Sequence, residues 1–150
     1  MTTRSANGTP ARVVKIGEIC RSTLTLSPES VKSFATLVND MNPLHHDDAY
    51  AAASRFGGLI ASGTQPTAHF MALLATHFST YAQPLGLEFD IKLKRATHAH
   101  DMLTFEWCVE DAWWKPALNG DLTKLAGTVT NQDNETIAMG RATILVMPKT

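Results

Sequence analysis

The chain is poor in several things that would point to particular functions. It has two cysteines, Cys20 and Cys108, too few for a disulfide framework or a cysteine-based zinc cluster. Cys108 lies in the strand-like run LTFEWCVE and reads as a small, half-buried side chain. Charge is also scarce: 18% of residues are Asp, Glu, Lys or Arg and the formal net charge is −1. No basic field for nucleic acid or an anionic membrane surface follows from that balance. Every apolar run is too short or too interrupted to span a bilayer. The first dozen residues, MTTRSANGTPAR, lack the apolar centre of a secretory signal. No internal repeat or low-complexity segment is present. These absences leave a soluble, cytoplasmic globular protein, with no nucleic acid or membrane as partner. The expected organisation is a flexible leader over 1–12 and one domain over 13–150.

The apolar share of 44% is distributed with clear periodicity. GEICRSTLTL (17–26) reads as a first strand. Ser27, Pro28 and Glu29 supply an N-cap, a first-position proline and an acidic first turn for a helix. That helix carries Val31, Phe34, Ala35, Leu37 and Val38, and should stop near Asn39 or Asp40, because Pro43 biases Asn42 to an extended conformation. A short helix is expected at about 48–55, then a glycine-bearing turn, FGGLIASG. Residues 64–81 have helical length and are apolar nearly all round, as in a helix buried in the middle of a domain. The remainder alternates with a period of two: 87–95, 103–110, 122–130 and 136–147 read as strands. Gly127 and Gly140 inside strands imply close approach of another backbone, that of the central helix being the candidate. The low charge and the adjacent Trp113 and Trp114 suggest surface covered by a second subunit.

Titratable groups concentrate in NDMNPLHHDDAY (39–50). Asp40 and His45 stand five residues apart across a proline-fixed bend, where a carboxylate and an imidazole can converge. Such a pair suits acid/base chemistry on water. Taken alone, the segment equally allows Asp40 as a turn cap, Asn42 as an Asx-turn and His45 at the surface. The tract His45-His46-Asp47-Asp48 is not read as a metal site, since adjacent side chains do not converge on one ion and Asp47 or Asp48 suits the cap of the next helix. His98 and His100 read as part of a solvated turn, and His69 and His77 as residues of the central helix that pack or hydrogen-bond to backbone. Phe56-Gly57-Gly58 lacks the spacing of a nucleotide loop. Gly63 precedes the central helix, where free N–H groups and the positive dipole end can meet a developing negative charge. An ordinary glycine turn is the alternative.

The stretch FATLVNDMNPLHHDDAYAAASRFGGLIASG (34–63) resembles the hydratase signature of the MaoC-like dehydratases, which include the (R)-specific enoyl-CoA hydratases. D-x-N-P-x-H, a small-residue helix and F-G-x-x-I-A-x-G occur in that order. The resemblance implies an α+β hot-dog fold, an antiparallel sheet wrapped around the long central helix, and a homodimer. It implies that Asp40 and His45 hold a catalytic water, that the Gly63 amide binds a thioester oxygen, and that Asn42 and Ser62 lie at the substrate. The implied reaction is reversible hydration of a trans-2-enoyl thioester, of coenzyme A or an acyl-carrier protein. It requires no metal or organic cofactor, coenzyme A entering only as part of the substrate. Two departures bear on substrate preference: Ser62 stands where the family often has histidine, and ATHAHD (96–101) replaces P-V-x-x-G-D, keeping only Asp101. A hot-dog thioesterase is one alternative, although 64–81 contains no Asp or Glu of the kind such enzymes place on or beside that helix. A non-catalytic acyl-thioester-binding subunit is the other.

Overall fold

The computed structural model describes residues 8–150; residues 1–7 of the expected leader lie outside them. The elements run β1 (Ile19–Thr25), α1 (Pro28–Leu37), α2 (Asp48–Ala53), α3 (Thr64–Phe78), β2 (Ala82–Leu93), β3 (Met102–Lys115), β4 (Gly120–Thr130) and β5 (Thr136–Pro148). The five strands form one antiparallel sheet in the order β1-β3-β4-β5-β2. The three helices all precede β2, so the chain is α+β as expected.

α1 begins as its sequence requires. The Ser27 hydroxyl accepts from the Ser30 amide at 3.1 Å and the Ser30 hydroxyl accepts from the Ser27 amide at 3.0 Å, a reciprocal capping box with Pro28 at the first position. α3 packs on the sheet through Phe70, Leu73, Leu74 and Phe78. At its centre Phe70 stacks on Trp107 of β3 with ring centroids 4.0 Å apart, and the Trp107 indole N–H donates to the Phe70 carbonyl at 2.8 Å. Gly127 and Gly140 face each other across β4 and β5. A Cβ on Gly127 would stand 2.6 Å from the Trp107 ring, and one on Gly140 would stand 2.9 Å from both Trp107 and Phe70. The close approach at these glycines is therefore made by two aromatic side chains, not by the helix backbone. The sheet needs a hollow to seat them.

Three expectations change. α3 is not covered all round: Ala68, Ala72 and Ala75 form an exposed stripe, because a single sheet can cover only one side of a helix. α3 also ends at Phe78, where Ser79 and Thr80 hydroxyls cap the carbonyls of Thr76 and His77, and β2 starts at Ala82. Pro84 is tolerated within it because β2 is an edge strand. Finally, Trp113 and Trp114 are covered by this chain's own N-terminal segment. Pro10 bridges Trp113, the Trp114 amide donates to Thr9, and the Arg12 guanidinium lies 4.4 Å over the Trp114 ring. Fully buried Asp121 anchors that segment by accepting the amides of Arg12, Val13 and Val14 at 3.0, 2.6 and 2.9 Å. No helix among the described residues is long and apolar enough to cross a membrane.

Candidate active site

Asp40 is placed by the way α1 ends. Asn39 takes a left-handed conformation, φ 59°, which asparagine accepts more readily than most residues. The Asn39 amide then donates to Thr36 and the Asp40 amide to Ala35, at 3.1 and 2.8 Å, the pairing of a Schellman cap. Asn42 follows as an Asx-turn, its Oδ1 accepting the Leu44 amide at 3.0 Å. Pro43–His45 forms one turn of 3-10 helix, which swings His45 back toward Asp40. His46 Nε2 donates to the Asp40 carbonyl at 2.7 Å, and Asp47 caps α2 through the Tyr50 amide.

His45 is 5% exposed. Its Nδ1 lies 2.7 Å from the Ile60 carbonyl. A carbonyl only accepts, so Nδ1 carries the hydrogen and the neutral ring presents the Nε2 lone pair. That Nε2 lies 3.3 Å from Asp40 Oδ2. Two acceptors at this separation need a shared donor, and a water molecule or a proton supplies one.

Ser62 is 1% exposed. Its hydroxyl donates to Asp40 Oδ2 at 2.5 Å and lies 2.6 Å from the Thr64 hydroxyl. The Ser62 hydroxyl, with the Asn42 amide and the two histidines, holds the Asp40 carboxyl below its ordinary range against an opposing effect of burial. Gly63 is the N-cap residue of α3, and its own N–H finds no acceptor among the described residues.

A cleft of about 360 Å³ opens on this constellation, lined by His45, Gly63 and Pro66 on one side and by Leu93, Lys94, Arg95 and Ile137 on the other. The structure thus brings His45 and Gly63 to one cavity, with Asp40 against His45. Asn42 is exposed and Ser62 faces Asp40; neither lines this cleft. Thr64, the Ile60 carbonyl and the Leu93–Arg95 wall went unrecognised in the sequence. Thr64 had a detectable signal, a hydroxyl residue opening a helix beside Gly63. The other two depend on contacts across the fold. Asp101, the residue kept from the family's turn, is buried and accepts the His98 amide at 2.8 Å and the Gln132 side chain at 2.9 Å.

Residues 14–90 match the MaoC like domain. A mitochondrial 3-hydroxyacyl-[acyl-carrier-protein] dehydratase of Arabidopsis thaliana is 30% identical over 66 residues, 44% of this chain and 40% of that protein's length. The unliganded R-hydratase PhaJ1 from Pseudomonas aeruginosa superposes with TM-score 0.77 at 26% identity, covering 91% of this chain and 84% of its own. An (R)-hydratase from A. caviae involved in PHA biosynthesis gives TM-score 0.76 at 23% identity, covering 92% of this chain and all of that one (100%). The sheet with α3 across it is the hot-dog fold of these structures, and the chain belongs to the MaoC-like dehydratase family.

Proposed function

We propose that the protein is a hydro-lyase that reversibly hydrates a trans-2-enoyl thioester to the 3-hydroxyacyl thioester, in the R configuration and with coenzyme A as the carrier. The observation that carries this reading is the pair of acceptors, Asp40 Oδ2 and His45 Nε2, 3.3 Å apart beside an amide with no acceptor of its own. The pair holds a water molecule by its hydrogens. One member takes a proton as the oxygen bonds to C3, and the C2–C3 π electrons move toward the thioester. The carbonyl oxygen gains negative charge, which the Gly63 N–H stabilises at the positive end of α3. The pair returns a proton to C2, and water has been added with no net change in the protein. No step calls for a metal or an organic cofactor.

Hydration of enoyl-CoAs of graded chain length, followed by loss of the conjugated-thioester absorbance, tests the reading. Asp40→Asn and His45→Gln should each lose about a hundred- to ten-thousandfold in rate while still melting cooperatively. Absence of turnover at every chain length, or near-normal turnover in both variants, refutes it.

The same reading includes a homodimer. Supporting it are the exposed alanine stripe of α3 and the free edge of β2, whose Leu85, Leu87 and Leu93 are each at least half exposed (53%, 50% and 54%). Light scattering at micromolar concentration should return twice the chain mass; a monomer mass overturns this part.

A further inference from the structure

The sheet face turned away from α3 carries a second concavity, of about 380 Å³. Side chains alternate across a strand, so while Trp107 and the would-be Cβ positions of Gly127 and Gly140 face α3, Glu106, Cys108, Met139 and Arg141 face outward. Lys92, Lys94 and Arg141 supply the cations of this hollow, and Asp90 and Glu106 the acids. Two of these charges are engaged: Arg141 with Glu110 at 3.4 Å and Glu106 with Arg21 at 3.8 Å. Lys92 and Lys94 enter no ion pair among the described residues. Lys94 also lines the catalytic cleft. It follows Leu93, the last residue of β2, so the two hollows meet at the end of an edge strand.

We propose that the outer concavity binds the phosphorylated nucleotide of coenzyme A, with Lys92 and Lys94 as its phosphate anchors. The pantetheine arm passes over Lys94 into the catalytic cleft. The assignment rests on the hydratase reading above. A thioester carbon at Gly63 fixes one end of the carrier, and the flexible arm ends in a diphosphate and a ribose phosphate that need cations. Lys92 and Lys94 are the uncommitted cations at the junction, and each hollow is of a size that holds a small ligand. Asp90 and Glu106 flank the lysines within a compact hollow. The cations are thus two neighbouring points and not the continuous basic face that an acidic carrier protein would dock on.

The test compares one short trans-2-enoyl group on coenzyme A and on N-acetylcysteamine, which lacks the phosphates and the nucleotide. In the double variant Lys92→Glu with Lys94→Glu, the ratio of kcat/KM for the two thioesters should fall about tenfold or more, the loss expected from one charge-assisted phosphate contact. Calorimetric titration with adenosine 3′,5′-bisphosphate reads the same site without turnover: wild type binds it, and the double variant binds it about tenfold more weakly. Both lysines are exposed, and circular dichroism checks that the variant is folded. An unchanged ratio, or no bisphosphate binding by wild type, overturns the proposal. If wild type hydrates neither thioester yet binds the bisphosphate through these lysines, the hydratase reading falls and the nucleotide site stands.

Discussion

Replacing Ser62 with alanine removes one oxygen from the candidate site. That oxygen, 1% exposed, donates to Asp40 Oδ2 at 2.5 Å. The bond favours the ionised carboxylate, so its loss falls on one protonation state. A hydrogen bond to a charged group contributes about 1.5–3 kcal/mol, and this one is the largest of the contacts that hold the Asp40 carboxyl down. Asp40 should therefore titrate higher in Ser62→Ala than in the parent. The side-chain carboxyl carbon of Asp40, followed by NMR against pH, reads that midpoint directly. Ser62→Thr keeps a hydroxyl and should restore most of the shift. The sign of the accompanying stability change is fixed. A carboxyl depressed in the folded protein contributes stability above its unfolded-state pKa and loses it as pH falls through the folded-state value. Ser62→Ala should thus melt below the parent at neutral pH, and the gap should close on acidification. An Asp40 midpoint that does not move, or a melting gap that widens in acid, would refute the reasoning.

Gly63 lies at φ −58°, open to any residue, so only space limits substitution; a Cβ there would stand 2.7 Å from Leu93 Cδ1. Gly63→Val should lose hydration activity while keeping a cooperative melt, because the half-exposed Leu93 side chain can move aside; retained activity would transfer the oxyanion role elsewhere. Asp121→Ala orphans three backbone amides and should cost about 3 kcal/mol or more, with faster hydrogen exchange at Val13 and Val14; a variant as stable as the parent would contradict the anchoring role. Gly127→Ala sets a methyl group 2.6 Å from the Trp107 ring and should lose about 1–3 kcal/mol, read from denaturant midpoints; an unchanged midpoint would mean the ring pair has slack.

What could be read from the sequence was local. Ser27-Pro28 marks the start of α1, Asn42-Pro43 marks the bend after it, and the alternation in 87–95 and 103–110 marks strands. The motif around Asp40 and His45 was legible for the same reason, since its members are neighbours in the chain. What escaped were contacts that no local pattern marks. Ser62 meets Asp40 across 22 positions, and nothing periodic announces that a buried serine will face a carboxylate. Asp121 stands one position ahead of the strand expected at 122–130 and drew no notice, yet it holds residues 12–14 from more than a hundred positions away. The tryptophan pair looked like unclaimed surface because the segment that covers it is short, polar and remote. The alanine stripe of α3 passed for a buried face because small apolar residues carry little information about which side of a helix meets the sheet.

The Asn39 cap, the Asx-turn and the Ser62 contact all lie in one stretch of chain, whereas the sheet joins residues as distant as Ile19 and Cys108. Closing a short loop costs little entropy, and the cost grows only slowly with length, but contacts remote in sequence slow folding. The constellation and its platform therefore differ in contact order. A refolding chain can bring Asp40, His45 and Ser62 into proximity before β1 docks on β3.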